Sequence, residues 1–565
     1  MDDTRVSLRR LRPRAIPLAV WLLAACLTAA GGSAADVDPA AASRFRVRPY
    51  LQNPAADGMT IRWLSESSAS GTLTCDGRTS ESKPVLCHDL AYRDAEPADM
   101  QHPAPPYLHS IRVTGLEPST SYPYAVTQDG ETAKAVLTTS PRPGEVGRGG
   151  GVRMFFYADS ETEPESRSSR AAWPPTASLP GGPRPRWVKD YPADQTTGYR
   201  MNLALIATRA AESLRAGNPV ITSVVGDLVA AGGEQRDWDE FWRHNAGSFG
   251  TLASRVPLVA ALGNHDIFGG PPADDPLVDL GGYEGPATLL ASRRFLTYFE
   301  HPANGAQDER HDGRYHRVDF GPVTLLTLDT TNGGSDDGPD DTNHELDRKD
   351  APHIPDYAPG SEQHAWLKRE LTAAQARGAI VFVQFHHAPF SSGAHGRPPG
   401  FGGRQTEHPG QPMRLLAPLF REHGVRAVFS GHDEMYEHSA VDGIHYYDVG
   451  IGGDELAARD PSVFNDRQIF VSDDHAPERW NGDVLQSGGR HYGHVEVDIE
   501  RNDAGGFTVT ITPAYVFPLL DATQPGTISG WERRTYEDVY RFDVAAPDPD
   551  AKAAAETTAA RGDAS

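Results

Sequence analysis

Between Asn218 and Asp266 lie two apolar runs, each ending in a short polar cluster. The first, Pro219 to Val225, is β-branched and almost unbroken up to Gly226-Asp227, as in a strand buried on both faces. The second, Val256 to Leu262, runs straight into Gly263-Asn264-His265-Asp266. Between them Trp238, Phe241 and Trp242 fall at i, i+3 and i+4, which predicts a crossover helix with one buried face. Two parallel strands joined by that helix put Asp227 beside Asn264-His265-Asp266 at the carboxyl ends of neighbouring strands. Open α/β sheets bind their ligands at that edge. A carboxylate, an amide oxygen and an imidazole gathered there are candidate metal ligands.

The same alternation of apolar strands and helical segments predicts an α/β domain over 152–520. Val152 to Ala158 ends at Asp159-Ser160-Glu161, and Val323 to Leu328 ends at Asp329. Ala379 to Phe385 ends at His386-His387, and Val425 to Ser430 ends at Gly431-His432-Asp433-Glu434. Residues 201–217 read as an amphipathic helix with Leu203, Ile206, Ala210 and Leu214 on one face and Gly217 as its stop. Upstream, residues 44–140 carry only short strand-like runs, which predict a small all-β sandwich domain with Trp63 in its core. Within it, Gly115 to Tyr124 resembles the late-strand corner of fibronectin type III domains, where a tyrosine hydroxyl ties back to the backbone. Residues 141–151, rich in Gly and Pro, read as a flexible linker. Two polar insertions, 336–360 and 454–490, are read as substrate-related loops, and 545–565 as a disordered tail.

The first 35 residues read as a targeting segment, with Arg5, Arg9, Arg10, Arg12 and Arg14 ahead of an apolar run from Ala15 to Ala25. That run is too short to span a bilayer as a mature helix. Ser33-Ala34-Ala35 offers a cleavage site, Leu23-Ala24-Ala25-Cys26 resembles a lipoprotein box with Cys26 as the lipidated residue, and Arg9-Arg10 is a weak twin-arginine signal. Export follows on each, to the cell envelope or beyond, and free and lipid-anchored forms both stay open. Removing the segment's five Arg and two Asp takes the net charge from −24 to −27. So acidic a surface argues against nucleic acid or an anionic membrane as partner. Outside the segment only Cys75 and Cys87 remain, most simply a disulfide in an exported chain.

Taken in order, Asp159, Gly226-Asp227, Gly263-Asn264-His265-Asp266, His386 and Gly431-His432 resemble the calcineurin-like metallophosphoesterases. The preceding β domain makes the chain most similar to the purple acid phosphatase branch, over roughly residues 44–515. The resemblance implies two mixed sheets sandwiched between helices, a four-layer α/β/β/α fold, with two metal ions at the strand ends. It implies that Asp227 bridges the metals, that Asn264, His386 and His432 complete the second site, and that Asp159 belongs to the first. It also implies that His265 is the acid near the leaving group, oriented by Asp266. Spacing to Phe390 favours His386 as the ligand and the His-x-Pro pattern through Pro389 favours His387; we take His386.

The chain departs from that family at three places. Ala230 stands where purple enzymes carry the tyrosine that colours ferric iron, Glu434 stands where a second histidine is usual, and the first motif reads Asp159-Ser160-Glu161. Asp159, Glu161, Asp227 and Glu434 would then line the first site with carboxylates alone, unless Glu161 and Glu434 are solvated surface groups. Oxygen-rich sites suit Mn, Mg, Ca or Fe, whereas imidazole also suits Zn. The expectation is therefore a metal-dependent phosphoric ester hydrolase acting on small mono- or diesters. The rival from another class is a non-catalytic surface or binding protein with a degraded site.

Overall fold

A computed structural model describes residues 43–545 apart from 94–95, 97–103, 165–166, 173–189, 271–285, 333–341, 346–353, 398–407, 458, 461, 473–478, 482–483, 488, 522 and 525–526. The targeting segment, the tail beyond 545 and parts of both insertions lie outside the described residues. The described residues from Arg44 onward form one compact unit.

Two four-stranded antiparallel sheets form the N-terminal sandwich. Phe45–Ala55, Gly58–Ser65, Tyr107–Thr114 and Val85–Leu86 make one sheet, and Arg78–Glu81, Thr72–Cys75, Ser121–Gln128 and Glu131–Thr138 make the other. Trp63 is fully buried between them with Ile61, Leu73, Val126 and Leu137, and its indole N–H donates to Gln128 Oε1 at 3.2 Å. The tyrosine corner is present: the Tyr122 hydroxyl accepts the Glu117 N–H at 2.9 Å. The expected disulfide is not. Cys75 and Cys87 are both free and buried, because they belong to different apolar clusters. Cys75 packs with Trp63 and Tyr124 inside the sandwich, whereas Cys87 packs with Tyr50 and Leu64 against the following domain.

That domain is built on two mixed sheets. In the first, Leu258–Ala261, Val220–Val225, Gly151–Tyr157, Gly493–Arg501, Phe507–Leu520 and Ile528–Tyr536 lie side by side in that order. The second orders His316–Phe320, Val323–Thr327, Ile380–His387, Ala427–Gly431, Ile444–Val449, Tyr436–Val441 and Gln468–Val471. Val220–Val225 pairs in parallel with both of its neighbours, as the crossover helix requires. Its side chains alternate between two cores: Ile221 and Val225 face the other sheet, while Val220 and Val224 face the helices. Between the sheets Phe156 stacks on Phe429 with ring centroids 3.8 Å apart. Helices Gln195–Arg215 and Gln235–Ala246 cover the outer face of the first sheet, and Glu362–Ala376 covers that of the second. The four-layer α/β/β/α order is the one the resemblance implied.

Two boundaries and the linker differ from what the sequence predicts. The first helix starts upstream of residue 201, at Gln195, because the Asp194 side chain caps the Thr197 N–H at 2.7 Å. The first sheet continues past residue 520 through Ile528–Tyr536 and Tyr540–Val544, whose half-exposed, charge-bearing sequence shows no apolar run. The linker is pinned rather than flexible: the Gly144 N–H donates to Gly321 O at 2.9 Å, and the Gly149 N–H to Gly217 O at 3.1 Å.

The sandwich braces the crossover helix. Tyr50 meets Trp242 with ring centroids 4.3 Å apart and donates its hydroxyl to Tyr298 O at 2.9 Å, while Arg46 pairs with Asp239 at 2.9 Å. Trp242→Ala should therefore cost about 3–5 kcal/mol in denaturant unfolding, the usual penalty for emptying a buried tryptophan site. A loss below about 1 kcal/mol would show that this junction contributes little.

Candidate metal centre

Strands Gly151–Tyr157, Val220–Val225, Leu258–Ala261, Val323–Thr327, Ile380–His387 and Ala427–Gly431 each lead to a polar residue at the shared edge of the two sheets, and several of the turns are tight. Asp159, Glu161, Asp227, His432 and Glu434 all adopt left-handed φ, at 54°, 32°, 52°, 81° and 49°. Such backbone costs about 1–3 kcal/mol per non-glycine residue and gathers at functional sites. Glycines make the close approach possible. A Cβ on Gly226 would strike the His386 ring, one on Gly263 the Asp227 carboxylate, and one on Gly431 the Asp159 carboxylate.

Asp227 lies at the centre. His386 Nε2 is 2.8 Å from Asp227 Oδ2 and 3.9 Å from Asp159 Oδ1, while His386 Nδ1 lies 3.0 Å from Val225 O. That contact fixes the tautomer, so that Nε2 faces the centre. The His265 N–H donates to Asp227 Oδ1 at 2.8 Å, and the His432 N–H donates to Asp159 Oδ1 at 3.0 Å. His432 Nδ1 lies 3.0 Å from Asn264 Oδ1. Of the two adjacent histidines, His387 turns to Thr330 Oγ1 at 2.8 Å and His386 enters the centre.

Asp266 makes backbone contacts that the resemblance did not imply. Its oxygens accept the N–H groups of Asp227 at 3.0 Å, Leu228 at 2.9 Å and Gly263 at 2.9 Å, so it ties the two ligand-bearing turns together. His265 Nδ1 lies 2.9 Å from Ala230 O and 3.2 Å from Glu161 Oε2.

Three overlapping groups of donors result: Asp227, His386 and His432; Glu161, Asp227 and His265; and Glu161, Glu434 and Asp454. Within each group the ligand atoms lie within 4.8 Å of one another. Glu161 and Glu434 are thus part of the centre and not isolated surface carboxylates. Asp454 was missed because it follows Ile444–Val449, a strand whose mixed polar composition hid it, and falls at the start of an aperiodic segment. His395 was missed as well. Its ring stacks on His432 at 3.9 Å and its Nδ1 lies 3.1 Å from Asp433 Oδ1, a contact made by a loop with no periodic signal.

The electrostatics fit cations. Burial pushes Asp159 up to about 8 and Asp454 to about 6, and burial together with neighbouring carboxylates drives Glu161 and Glu434 well above the ordinary range. Asp227 is the exception: burial acts against its charge, but His386 and His265 outweigh it and hold the carboxyl low. His386 rises to about 10, burial being overcome by Asp227 and Asp159. Among the described residues the ion partners of these carboxylates are histidines alone, His386 for Asp159 and Asp227 and His265 for Glu161. So many carboxyl oxygens in a nearly dry space, cradled by glycines and flanked by the imidazoles of His265, His386 and His432, suit bound metal ions.

Comparison with known proteins agrees. Residues 201–435 match the family model for calcineurin-like phosphoesterases. An uncharacterized protein of Mycobacterium tuberculosis, in strains CDC 1551 / Oshkosh and H37Rv, is 25% identical over 392 residues, 68% of this chain and 60% of the relative. The chain thus spans less than two thirds of that relative's length. A purple acid phosphatase from yellow lupin (Lupinus luteus) seeds shares the fold, with a TM-score of 0.53 at 17% identity over 87% of this chain and 74% of that one. Residues 201–435 are thus similar to the calcineurin-like phosphoesterases, and the chain shares the fold of a purple acid phosphatase.

Proposed function

We propose that the chain is an exported, dinuclear metal-dependent hydrolase of small phosphate monoesters or diesters. The observation that carries this reading is the sharing of Asp227 between two groups of donors, one with His386 and His432 and one with Glu161 and His265. A carboxylate common to two groups is what holds a pair of cations at short spacing. In this reading Asp227, Asn264, His386 and His432 hold one cation, and Asp159, Glu161, Asp227 and Glu434 the other. Bound there, the ions supply neutralisation of the anionic ester and acidification of water.

The chain's own groups do the remaining work. Asp266 keeps the Asp227 and Asn264 turns in register through its three amide contacts. His265, with a side chain 24% exposed, protonates the leaving oxygen from Nε2, since Nδ1 is engaged by Ala230 and Glu161. Export rests on the Arg-rich start and apolar run of residues 1–35. Metal analysis combined with nitrophenyl phosphate and bis-nitrophenyl phosphate assays tests the reading as a whole: a chain that binds metal yet cleaves neither ester is a binding protein.

Asp227→Asn should lose both metal content and hydrolysis, because one carboxylate serves both groups; retention of both metals with near-normal turnover would falsify the shared-ligand assignment. His265→Ala should keep its metals and slow esters with poor leaving groups by about 10²–10⁴-fold, and nitrophenyl esters much less. Equal losses on alkyl and nitrophenyl esters would remove His265 from the acid role.

A pH dependence follows from Asp159. Its carboxyl is raised from 3.8 to about 8 in the metal-free chain. The stabilisation it gives the stripped protein is therefore complete below about pH 4 and lost as pH rises through about 8. Metal must displace such protons to bind. The gap in melting temperature between loaded and stripped protein should widen from about pH 5 to about pH 8, and a constant gap would contradict the assignment.

A further inference from the structure

The loop after Ile444–Val449 brings a carboxylate into the centre that the motif set does not contain. Asp454 is 7% exposed, and its ligand atom lies within 4.8 Å of those of Glu161 and Glu434. Its backbone is stitched to a candidate ligand: the Gly453 and Asp454 N–H groups both donate to Asp159 O, at 3.0 and 2.9 Å. The approach is so close that a Cβ on Gly450 would strike the Asp159 carboxylate, and one on Gly452 the Ala158 carbonyl. Gln195, at the start of the first helix, donates Nε2 to Asp454 Oδ1 at 2.5 Å, which fixes the orientation of the carboxylate.

This group is not an acidic cluster standing alone. It shares Glu161 with the group that contains Asp227 and His265, which in turn shares Asp227 with His386 and His432. The chain of donors therefore runs from an imidazole-rich end to an end made of carboxylates only. Ligand sets that differ in this way select different ions, hard cations at the oxygen end and borderline ones at the imidazole end.

We propose that Asp454 is a further ligand of the carboxylate-bound cation, positioned by Gln195, and that it makes this end of the centre selective for a hard divalent ion such as Mn²⁺; the proposal rests on the dinuclear reading above. Three carboxylates from three separate turns, Glu161, Glu434 and Asp454, then replace the imidazole that would otherwise soften the site. Gln195 acts on the metal only through Asp454.

The test uses the full chain, stripped with a chelator, as wild type, Asp454→Asn and Gln195→Ala. Mn²⁺ alone and Zn²⁺ alone are titrated, with bound metal counted and affinities measured. Wild type should bind two Mn²⁺. Asp454→Asn should keep one Mn²⁺ and bind the second at least about tenfold more weakly, with Zn²⁺ affinity changed by less than about twofold. Gln195→Ala should weaken the same Mn²⁺ by about 10–100-fold, as loss of a ligand-orienting partner does, with Zn²⁺ affinity changed by less than about twofold although the side chain's contact with the Ser169 N–H is lost as well. Wild-type-like Mn²⁺ binding by Asp454→Asn, or equal weakening of Mn²⁺ and Zn²⁺, overturns the proposal. Should Asp454→Asn fail to fold, Gln195→Ala carries the same selective readout. If wild type itself binds neither ion, the dinuclear reading falls; if wild type binds two and the variants match it, only the role of Asp454 falls.

Discussion

Like charges in a dry space repel steeply, and the carboxyl groups of Asp159, Glu161, Asp227, Glu434 and Asp454 meet at one sheet edge in this protein. Most of the architecture around the centre serves to hold that unfavourable gathering in place. Left-handed turns aim the side chains inward, and glycines remove the atoms that would keep the turns apart. Asp266 spends both of its oxygens on backbone amides of the two neighbouring turns. Strain of this kind persists only where the surrounding packing over-determines it. Here the surroundings are two sheets whose inner faces interlock through Phe156 and Phe429.

The N-terminal sandwich belongs to that support. Its Tyr50 and Arg46 press on the helix Gln235–Ala246, whose own Trp238, Phe241 and Trp242 are buried beneath it. That helix joins the strand ending at Asp227 to the strand ending at Asn264. Displacing it would shift the two turns that Asp266 ties together. The link from domain packing to site geometry is thus short, and it runs through backbone rather than through long side chains.

Two buried histidines next to each other show how position decides role. His386 and His387 share a strand end and are both fully buried, yet strand alternation sends them to opposite sides. His386 meets Asp227 and His387 meets Thr330. The same logic separates Asp266 from His265. They are adjacent in sequence, but the short helix Asn264–Ile267 turns one toward backbone amides and the other toward Ala230 and Glu161.

That Asp159, Asp227, Asn264, His386 and His432 stand at strand ends was legible in the chain alone because each follows an apolar run closely, and the end of a buried strand is a local signal. The four-layer order was legible for the same reason, since the periodicities of strands and helices are written in neighbouring residues. The contacts of Asp454, His395 and Asp266 were not, because each depends on which turn packs beside which, and such contacts join residues far apart in sequence. The free Cys75 and Cys87 and the strands beyond residue 520 were hidden likewise. Thiols pair only where packing brings them together, and the charge-bearing strand Ile528–Tyr536 becomes a strand through pairing with Phe507–Leu520 rather than through any apolar pattern of its own. Local chemistry set what each turn could offer, and the packing of distant segments decided what it met.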